Sequence, residues 1–269
     1  MLLRFLRYFW RAKTIYDVHS PFVAELTRAV LEDRRHFYAF SEIELLREQL
    51  RFDKTELHVK DHGAGSNVDT DALRKIADLA RHAAVPPVVG RMLFRLVDFC
   101  KPGTILELGT SLGISTLYLR AGALNARLLT VEGSAEVAAQ ARANFAKQQV
   151  NDIEVYLGTF QEQLPRALRD LQQLDFLYLD GDHREAATMN YVEQCMAYAH
   201  TQSVFVIADI YWSNEMQAAW DRLRAHPRVR LSVDVFHFGI LFFREEQREP
   251  EHFTLIAKRW KPWRLGFGS

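Results

Sequence analysis

The sequence is poor in cysteine, has no net charge and contains no long apolar run. Its two cysteines, Cys100 and Cys195, lie in apolar helical patterns, which is typical of buried thiols in a reducing compartment. Lysine plus arginine and aspartate plus glutamate each number 34, so no overall field would attract nucleic acid or an anionic membrane. No apolar segment approaches the roughly eighteen residues of a membrane span, and arginines interrupt the apolar residues 1–10, where a secretion signal would lie. We therefore expect a cytoplasmic protein without nucleic-acid or membrane partners.

The chain is long enough for one α/β core with an appendage, since it has 269 residues of which 48% are hydrophobic. Helical periodicity without strand alternation dominates residues 1–100, which we interpret as an N-terminal helical cap. Ser20 and Pro21 predict one helix start, and Ser41 with Glu44 predicts a capping box at another. A core over residues 101–250 and a C-terminal extension over 251–269 complete the predicted domains.

Strand and helix patterns alternate regularly after the cap, which predicts a parallel sheet with helices on both faces. The predicted strands cover 104–109, 126–132, 153–158, 175–180 and 203–209, and the predicted helices cover 114–123, 134–148, 161–172, 184–199 and 214–225. Two further strands, 229–237 and 240–244, lie almost in contact with Gly239 between them, so we expect them to form an antiparallel hairpin. The predicted fold is α/β, a Rossmann-like doubly wound, mostly parallel sheet that ends in this hairpin.

The segment TILELGTSLGIS, residues 104–115, carries the strongest functional signal. A buried strand runs into a loop with Gly109 and Gly113, and a helix follows directly, so free N–H groups at the helix start face the loop. The spacing is E-x-G-x-x-x-G, which differs from the G-x-G-x-x-G of dinucleotide-binding folds. An acid at the mouth of this loop, Glu107, would repel a pyrophosphate but suits a cationic ligand.

These residues resemble the first motif of the class I S-adenosylmethionine-dependent methyltransferases, and more closely that of the catechol O-methyltransferase-like group. That motif has the form E-x-G-x-x-x-G-x-S, which Glu107, Gly109, Gly113 and Ser115 match. The resemblance covers roughly residues 90–245 and implies S-adenosylmethionine as the cofactor. The implied cofactor-binding residues are Glu107, Gly109, Thr110, Ser111, Gly113, Ser115, Glu132, Gly133, Gly158, Thr159, Phe160 and Asp180.

The second predicted strand ends at Glu132, about twenty residues past the glycine loop, where a carboxylate can accept hydrogen bonds from both ribose hydroxyls. By resemblance, the residues after the third strand, Gly158 to Gln161, pass the adenine ring. Phe160 is either a stacking face for the adenine or a core residue.

The fourth predicted strand ends at Asp180, and the resemblance implies an aspartate here that binds a divalent cation. The family has a lysine three residues later that takes the acceptor's proton. His183 stands in that position, and imidazole is a suitable base because its unperturbed pKa is about 6.5. The alternative is a histidine that caps the next helix.

The fifth predicted strand ends at Asp209, which fits a second metal-binding aspartate. Family members follow it with an asparagine, whereas Ile210 cannot donate an oxygen. Asp180 and Asp209 are therefore the metal ligands if a metal is bound, with Asp182 or Asn214 as sources of a compensating oxygen. We expect weak or absent dependence on Mg²⁺, because this cation prefers close to six oxygens.

The predicted function is methyl transfer from S-adenosylmethionine to an oxygen of a small-molecule acceptor, with His183, Asp180 and Asp209 as the catalytic residues. The alternatives are an N-methyltransferase and a catalytically weakened cofactor-binding protein that acts through protein–protein contacts. A homodimer is possible for either. Tyr211 and Trp212 would line the acceptor's entrance, unless Trp212 packs against the cap. The glycine-containing segment 61–66 is either an ordinary turn or a lid over the cofactor.

Overall fold

A computed structural model of the chain describes residues 1–61, 70–245 and 249–264. The strands in these ranges are β1 (Glu56–Asp61), β2 (Thr70–Lys75), β3 (Thr104–Leu108), β4 (Arg127–Glu132), β5 (Ile153–Leu157), β6 (Leu174–Leu179), β7 (Ala199–Ala208), β8 (Leu231–Asp234), β9 (Phe238–Phe242) and β10 (Glu251–Thr254). From β3 to β7 each boundary lies within a few residues of its prediction. Apolar strands bounded by turn residues are the clearest local signal for a buried sheet.

The α-helices are α1 (Leu2–Arg11), α2 (Pro21–Thr27), α3 (Tyr38–Leu50), α4 (Ile76–His82), α5 (Pro87–Cys100), α6 (Ile114–Gly122), α7 (Ala135–Lys147), α8 (Phe160–Leu171), α9 (Glu185–Met196) and α10 (Asn214–Arg224). Short 3₁₀ turns cover Ile15–Asp17 and Lys258–Trp260, and a π-helical segment covers Arg28–Glu32. None of the helices in the described ranges has both the length and the apolar character needed to cross a membrane.

The central sheet has eight strands in the order β10-β8-β9-β7-β6-β3-β4-β5. Neighbours are parallel except for β9, which is antiparallel to both β7 and β8. The chain runs outward from β3 to β5 and then returns to add β6 on the other side of β3, so the strand order reverses between β3 and β6. This doubly wound arrangement, with its C-terminal antiparallel pair, confirms the predicted fold class. Ligands of such sheets bind at the carboxyl ends of the strands where the order reverses.

Successive strand residues supply two separate apolar layers because side chains alternate across a strand. Ile105 packs into a layer with the cap and with α5, α6 and α7, whereas Leu106 packs with α8, α9 and α10 on the opposite face. Cys195 is buried in the second layer and Cys100 is half-buried, and both are free thiols.

The cap is not wholly helical, which corrects the prediction for residues 1–100. β1 and β2 form a separate antiparallel hairpin in which Leu57 pairs with Arg74, and α4 begins only at Ile76. Charged residues interrupt both strands, so their apolar pattern is too weak to predict strands. Here backbone pairing across the hairpin overrides the helical spacing.

The predicted capping box at Ser41 and Glu44 is also wrong. Ser20 does precede α2 as predicted, although its side chain makes no capping hydrogen bond. α3 begins at Tyr38, so Ser41 lies inside the helix, where its hydroxyl is 2.8 Å from a ring nitrogen of His36. Glu44 instead accepts two hydrogen bonds from Arg91 on α5.

The C-terminal hairpin differs from its prediction in the position of the turn. Gly239 lies within β9, and the turn is formed by residues 235–237 around Phe236, which has φ +73°. Glycine is needed at 239 because a Cβ there would lie 2.3 Å from the ring of Trp220. β10 then adds a parallel strand beside β8, from the segment that we assigned to the C-terminal extension.

Candidate active site

Two adjoining cavities open at the carboxyl edge of the central strands. The first, of about 360 Å³, is lined by Glu132 and is called the Glu132 cavity. The second, of about 580 Å³, is lined by His183 and is called the His183 cavity. Gly109, Ser111 and Asp180 line both. The glycine loop and the end of β6 therefore form the boundary between the two cavities.

The loop after β3 has its glycines chiefly because the protein itself leaves no room for side chains. Gly109 has φ +110°, and a Cβ there would lie 2.1 Å from the carbonyl oxygen of Asp180. Gly113 has φ +79°, and a Cβ there would meet the ring of Phe145 at 2.3 Å. Gly109 lines both cavities, whereas Gly113 is not among the described residues that line either one. Gly113 is therefore required by the packing of α7 against the loop, and its contact with a ligand stays a prediction.

Glu132 ends β4 and its carboxylate is held by two backbone N–H groups. Ser111 donates to Oε2 at 2.9 Å and Ser134 donates to Oε1 at 3.0 Å. A carboxylate has about four acceptor sites in all, and this one lines the Glu132 cavity. Gly133 lines the same cavity. The side chain is thus positioned to accept hydrogen bonds from a polar ligand.

Glu107 does not face a ligand, which corrects its predicted role. Its carboxylate is 0% exposed and accepts hydrogen bonds from the hydroxyls of Ser115 and Thr116 on α6 and of Thr130 on β4. Burial raises its pKa from about 4.5 to about 7, although the three hydroxyls oppose the shift. Glu107 therefore links the helix that follows the glycine loop to β3 and β4, on the side away from the cavities.

Thr110 of the loop and Ser115 of α6 use their hydroxyls within this buried network. Thr110 lies 2.6 Å from Thr130, oxygen to oxygen, and is itself almost fully buried. Ser115 lines the His183 cavity while its hydroxyl donates to Glu107. Both residues line the His183 cavity. Their hydroxyls already have hydrogen-bond partners in the protein, so they offer the cavity little polar surface.

Phe160 packs against a neighbouring ring and also lines a cavity, while its predicted stacking on adenine stays a prediction. It lines the Glu132 cavity beside Thr159, and its ring packs edge-on against Tyr191 with centroids 5.5 Å apart. Thr159 caps α8, since its hydroxyl accepts from the N–H of Glu162. Gly158 is not among the described residues that line either cavity. Its φ of +141° serves the turn into α8, and its ligand contact stays a prediction.

Three titratable side chains meet at the ends of β6 and β7. The ring nitrogen Nε2 of His183 lies 4.0 Å from Oδ1 of Asp180 and 4.0 Å from Oδ2 of Asp209. Tyr178 donates a hydrogen bond to the other oxygen of Asp180 at 2.9 Å. The ligand atoms of the three residues lie within 4.8 Å of one another. The structure thus brings together all three predicted catalytic residues.

Both carboxylates of this cluster hold their protons more tightly than usual. Burial raises the pKa of Asp180, and the nearby His183 opposes the shift. Burial also raises the pKa of Asp209, and repulsion from Asp180 adds to the shift. A positive charge between the two carboxylates would relieve both effects. The cluster is therefore suited to an imidazolium, a cationic ligand or a metal ion.

Neither residue considered as a source of a compensating metal ligand is available for that role. Asp182 accepts two hydrogen bonds from Arg184 and one from Tyr191. Oδ1 of Asn214 accepts a hydrogen bond from Arg4 on α1. Ile210 is 0% exposed within the apolar layer. The third group beside the two aspartates is instead His183.

The hairpin of β1 and β2 contributes a wall that sequence reasoning missed. Val59 and Arg74 line the Glu132 cavity. The backbone N–H of His58 donates to Glu136, and its carbonyl accepts from Ser134 at 2.9 Å. These bonds dock the hairpin onto the start of α7, directly after Glu132. Of the predicted loop at 61–66, Asp61 ends β1, and residues 62–66, with both glycines, lie outside the described residues.

Of the two aromatic residues after β7, one faces the site. Trp212 lines the His183 cavity, is 59% exposed and has its ring 6.4 Å from that of His183. Tyr211 stacks on Phe236 and donates to Asp234 at 2.6 Å. Trp212 thus borders the cavity as predicted, whereas Tyr211 packs against the C-terminal hairpin.

A family model described as a methyltransferase domain matches residues 106–210. The matched range is less than half of the chain. It begins in β3 and ends just after β7, so it contains the glycine loop, Glu132 and the cluster at His183. This match confirms the resemblance to methyltransferases inferred from the sequence motifs.

Relatives with assigned names match the methyltransferase domain over part of their length. A Mus musculus protein named transmembrane O-methyltransferase homolog is 43% identical over 95 residues, which are 33% of this chain and 35% of the relative. The catechol O-methyltransferase of Niastella koreensis is 30% identical over 122 residues, 42% of this chain and 55% of the relative. The chain therefore spans about a third to a half of the length of these relatives.

Solved structures share the fold of the methyltransferase domain at low sequence identity. An O-methyltransferase from Bacillus cereus in complex with SAH has a TM-score of 0.55 and 21% identity, over 81% of this chain and 95% of that chain. The O-methyltransferase TomG from Streptomyces achromogenes, in complex with SAM, has a TM-score of 0.55 and 16% identity, over 82% and 94% of the two chains. At these identities the likeness establishes the fold.

The raised pKa of Glu107 predicts a pH-dependent stability. Between its usual pKa of about 4.5 and the folded value of about 7, the native state keeps a proton that the unfolded state releases. Stability is therefore fully present below pH 4.5 and decreases as pH rises towards 7. Relative to Glu107→Gln, which cannot ionise, wild type should lose about 3 kcal/mol of unfolding free energy across this window. Urea unfolding at several pH values measures the difference, and parallel profiles for the two proteins would contradict it.

Proposed function

We propose that the chain transfers a methyl group from S-adenosylmethionine to an oxygen of a small acceptor molecule. The observation that carries this proposal is the arrangement of the two cavities around Asp180. One cavity has the Glu132 carboxylate for a ribose, and the other has His183 between two acids. A cofactor in the first cavity would present its methyl group where the second begins. The SAH- and SAM-bound structures with the same fold support this choice of cofactor.

The chain's own groups are suited to hold each part of the cofactor. Glu132 is held by backbone N–H groups and can accept from both ribose hydroxyls. Phe160 offers an aromatic face for the adenine in the same cavity. Asp180, at the boundary of the cavities, places negative charge near a cationic sulfonium or ammonium. Asp180, rather than Glu107, would thus supply the negative charge that faces the cationic part of the cofactor.

The chemical step requires alignment and the removal of one proton. When bound, S-adenosylmethionine supplies the methyl group, and the electron pair of its carbon–sulfur bond stays with sulfur as the acceptor oxygen bonds to the methyl carbon. We assign the acceptor's hydroxyl proton to Nε2 of His183. Asp180 and Asp209, each 4.0 Å from that nitrogen, stabilise the resulting imidazolium.

A divalent cation also fits this cluster, because two carboxylates and an imidazole converge within 4.8 Å. Asp180, Asp209 and His183 would hold it, and it would lower the pKa of the acceptor hydroxyl. Imidazole nitrogen suits Zn²⁺, iron or Ni²⁺ better than Mg²⁺, which prefers oxygen ligands. The buried side chain of Ile210 cannot supply the missing oxygen. This donor set supports the prediction of weak dependence on Mg²⁺.

The exposed indole of Trp212 beside His183 favours a flat or apolar acceptor. The name of the Niastella koreensis relative, catechol O-methyltransferase, supports a phenolic hydroxyl. A nitrogen acceptor and a non-catalytic, partner-binding role are the alternatives, and turnover with phenols, catechols and amines separates them. Cytoplasmic location, a homodimer and the domain limits at 100 and 250 stay predictions.

Removal of the Glu132 carboxylate should weaken cofactor binding. Glu132→Ala leaves two ribose hydroxyls without a charged acceptor, which should cost about 1.5–3 kcal/mol. Calorimetry with S-adenosylmethionine measures this loss, and Glu154→Ala, which removes an exposed carboxylate of β5, serves as the control. Unchanged affinity in Glu132→Ala, or no binding to wild type, would contradict the assignment.

Loss of the His183 imidazole should slow the reaction without affecting cofactor affinity. If this ring takes the acceptor's proton, His183→Ala should lower kcat by about 10²- to 10⁴-fold. The wild-type rate should rise with pH as the ring deprotonates, and the variant should lose this rise. The exposed His19 provides a control in His19→Ala. Full activity of His183→Ala with an unchanged pH profile would leave His183 as a helix-start residue only.

Chelation should leave most of the turnover intact, because Ile210 removes one oxygen ligand that Mg²⁺ would use. Titration with Mn²⁺, followed by electron paramagnetic resonance, reports any metal binding without activity. Weaker Mn²⁺ binding in His183→Ala than in wild type would identify the imidazole as a ligand. Complete loss of turnover in chelator that Mg²⁺ restores would contradict the prediction.

A further inference from the structure

A third cavity, of about 630 Å³, lies away from the glycine loop. Its walls come from α1, the segment 30–36, the first turns of α5, the hairpin turn at 235–237 and the segment 255–260. Because five arginines line it, we call it the arginine cavity. Its volume is in the range of small-molecule sites, and the methyl-transfer chemistry described above does not use it.

The charge of the arginine cavity is strongly one-sided. Its lining arginines are Arg34, Arg35, Arg91, Arg95 and Arg259, and the carboxylate among its lining residues is Asp33. That carboxylate is already engaged, since it accepts hydrogen bonds from both Nε and a terminal nitrogen of Arg35. Within the described ranges, Arg34 and Arg259 have no ion-pair partner. The cavity therefore has positive charge that the protein itself does not neutralise.

Arg95 is the innermost of these cations. Its side chain is 11% exposed, and its Nε is buried without a hydrogen-bond partner. The nearest carboxylate oxygen, on Asp33, lies 3.7 Å from that nitrogen. Burial lowers the pKa of Arg95, Asp33 opposes this shift, and the neighbouring Arg91, Arg259 and Arg35 lower the pKa further. A buried guanidinium crowded by like charges is a costly arrangement that a bound anion would relieve.

Much of the remaining cavity wall is apolar. Buried side chains of Val30, Met92, Val235, Leu255 and Ile256 line it, and the partly exposed ring of Phe236 lies among them. Inorganic phosphate would gain nothing from such a surface, because it has no apolar part to remove from water. The lining thus matches a ligand with both a charged end and a hydrocarbon or aromatic body.

We propose that the arginine cavity binds an organic anion with an apolar body, such as a carboxylate or phosphate ester of an aliphatic or aromatic molecule. The guanidinium groups of Arg95, Arg34 and Arg259 hold the anionic end, since planar guanidinium groups pair well with carboxylates and phosphates. The apolar wall covers the body. The cavity also adjoins the active site, because His237 lines it and its carbonyl accepts the N–H of Asp209 at 2.9 Å.

Binding of three probes to the full chain, without cofactor, tests this site. The probes are decanoate, decanol and inorganic phosphate, measured by calorimetry. Decanoate should bind about tenfold or more tightly than decanol, which has the same chain but no charge, because charged hydrogen bonds contribute more than 1 kcal/mol. Phosphate should bind more weakly than decanoate. Equal binding of decanoate and decanol, or of decanoate and phosphate, would overturn the proposal, as would no saturable binding of decanoate.

Variants locate the binding to the arginine cavity. Arg34→Gln with Arg259→Gln removes two exposed charges that make no ion pair, so folding should be unaffected, and decanoate affinity should fall about tenfold. Arg95→Gln should reduce it at least as much, with thermal unfolding as a check on the fold. Arg169→Gln, an exposed arginine of α8, is the matched control. An equal loss in Arg169→Gln, or no loss in the double variant, would refute binding at this cavity.

Discussion

The close approach of two backbones at the sheet edge is the constraint on which this site depends. The bare backbone of Gly109 touches the carbonyl of Asp180, so the loop after β3 and the loop after β6 are pressed together. That contact makes Gly109 and Asp180 common walls of two cavities. A methyl donor and an acceptor must meet within bonding distance of one carbon atom. Because the two cavities share this wall, a donor in one cavity and an acceptor in the other would lie next to each other.

Glu107 supports the same loop from the side opposite to the cavities. Its three hydroxyl donors come from α6 and β4, so one carboxylate ties a helix and two strands together. The sequence motif correctly identified this residue as important, but its role depends on burial. A pattern of residues cannot distinguish an acid that faces a ligand from one that lies a layer behind it.

Most of the central sheet was predictable because each strand from β3 to β7 is apolar and ends in a turn signal. The cluster of Asp180, His183 and Asp209 was predictable for a related reason, since parallel strands deliver their carboxyl ends to one edge. Strands with weak local signals were missed: the charged hairpin of β1 and β2, and β10. Gly239 was misplaced because its requirement comes from Trp220, a residue on another element. Long-range contacts of this kind leave no local mark in a sequence.

Where the resembling family has a lysine and an asparagine, this chain has His183 and Ile210, which changes the cluster at the ends of β6 and β7. An unperturbed imidazole loses its proton near neutrality, whereas a lysine ammonium does not. The resembling family has a metal-binding asparagine at this position, whereas Ile210 is a core residue that packs among apolar neighbours. Together these changes move the cluster from oxygen donors towards a mixed nitrogen and oxygen set. The fold is the same, and the difference lies in the side chains at the carboxyl edge of the sheet.

The strand β10 has only four residues, Glu251–Thr254, and lies at one end of the eight-stranded sheet. Lys13 forms a single bridge to Leu255 just beyond it, and Lys261 donates a hydrogen bond to the carbonyl of Ala12. A long, unpaired edge would offer a template for strand addition by another chain. Here the edge strand is short and the N-terminal segment pairs just beyond its end, so little backbone is left for such addition at this side of the sheet.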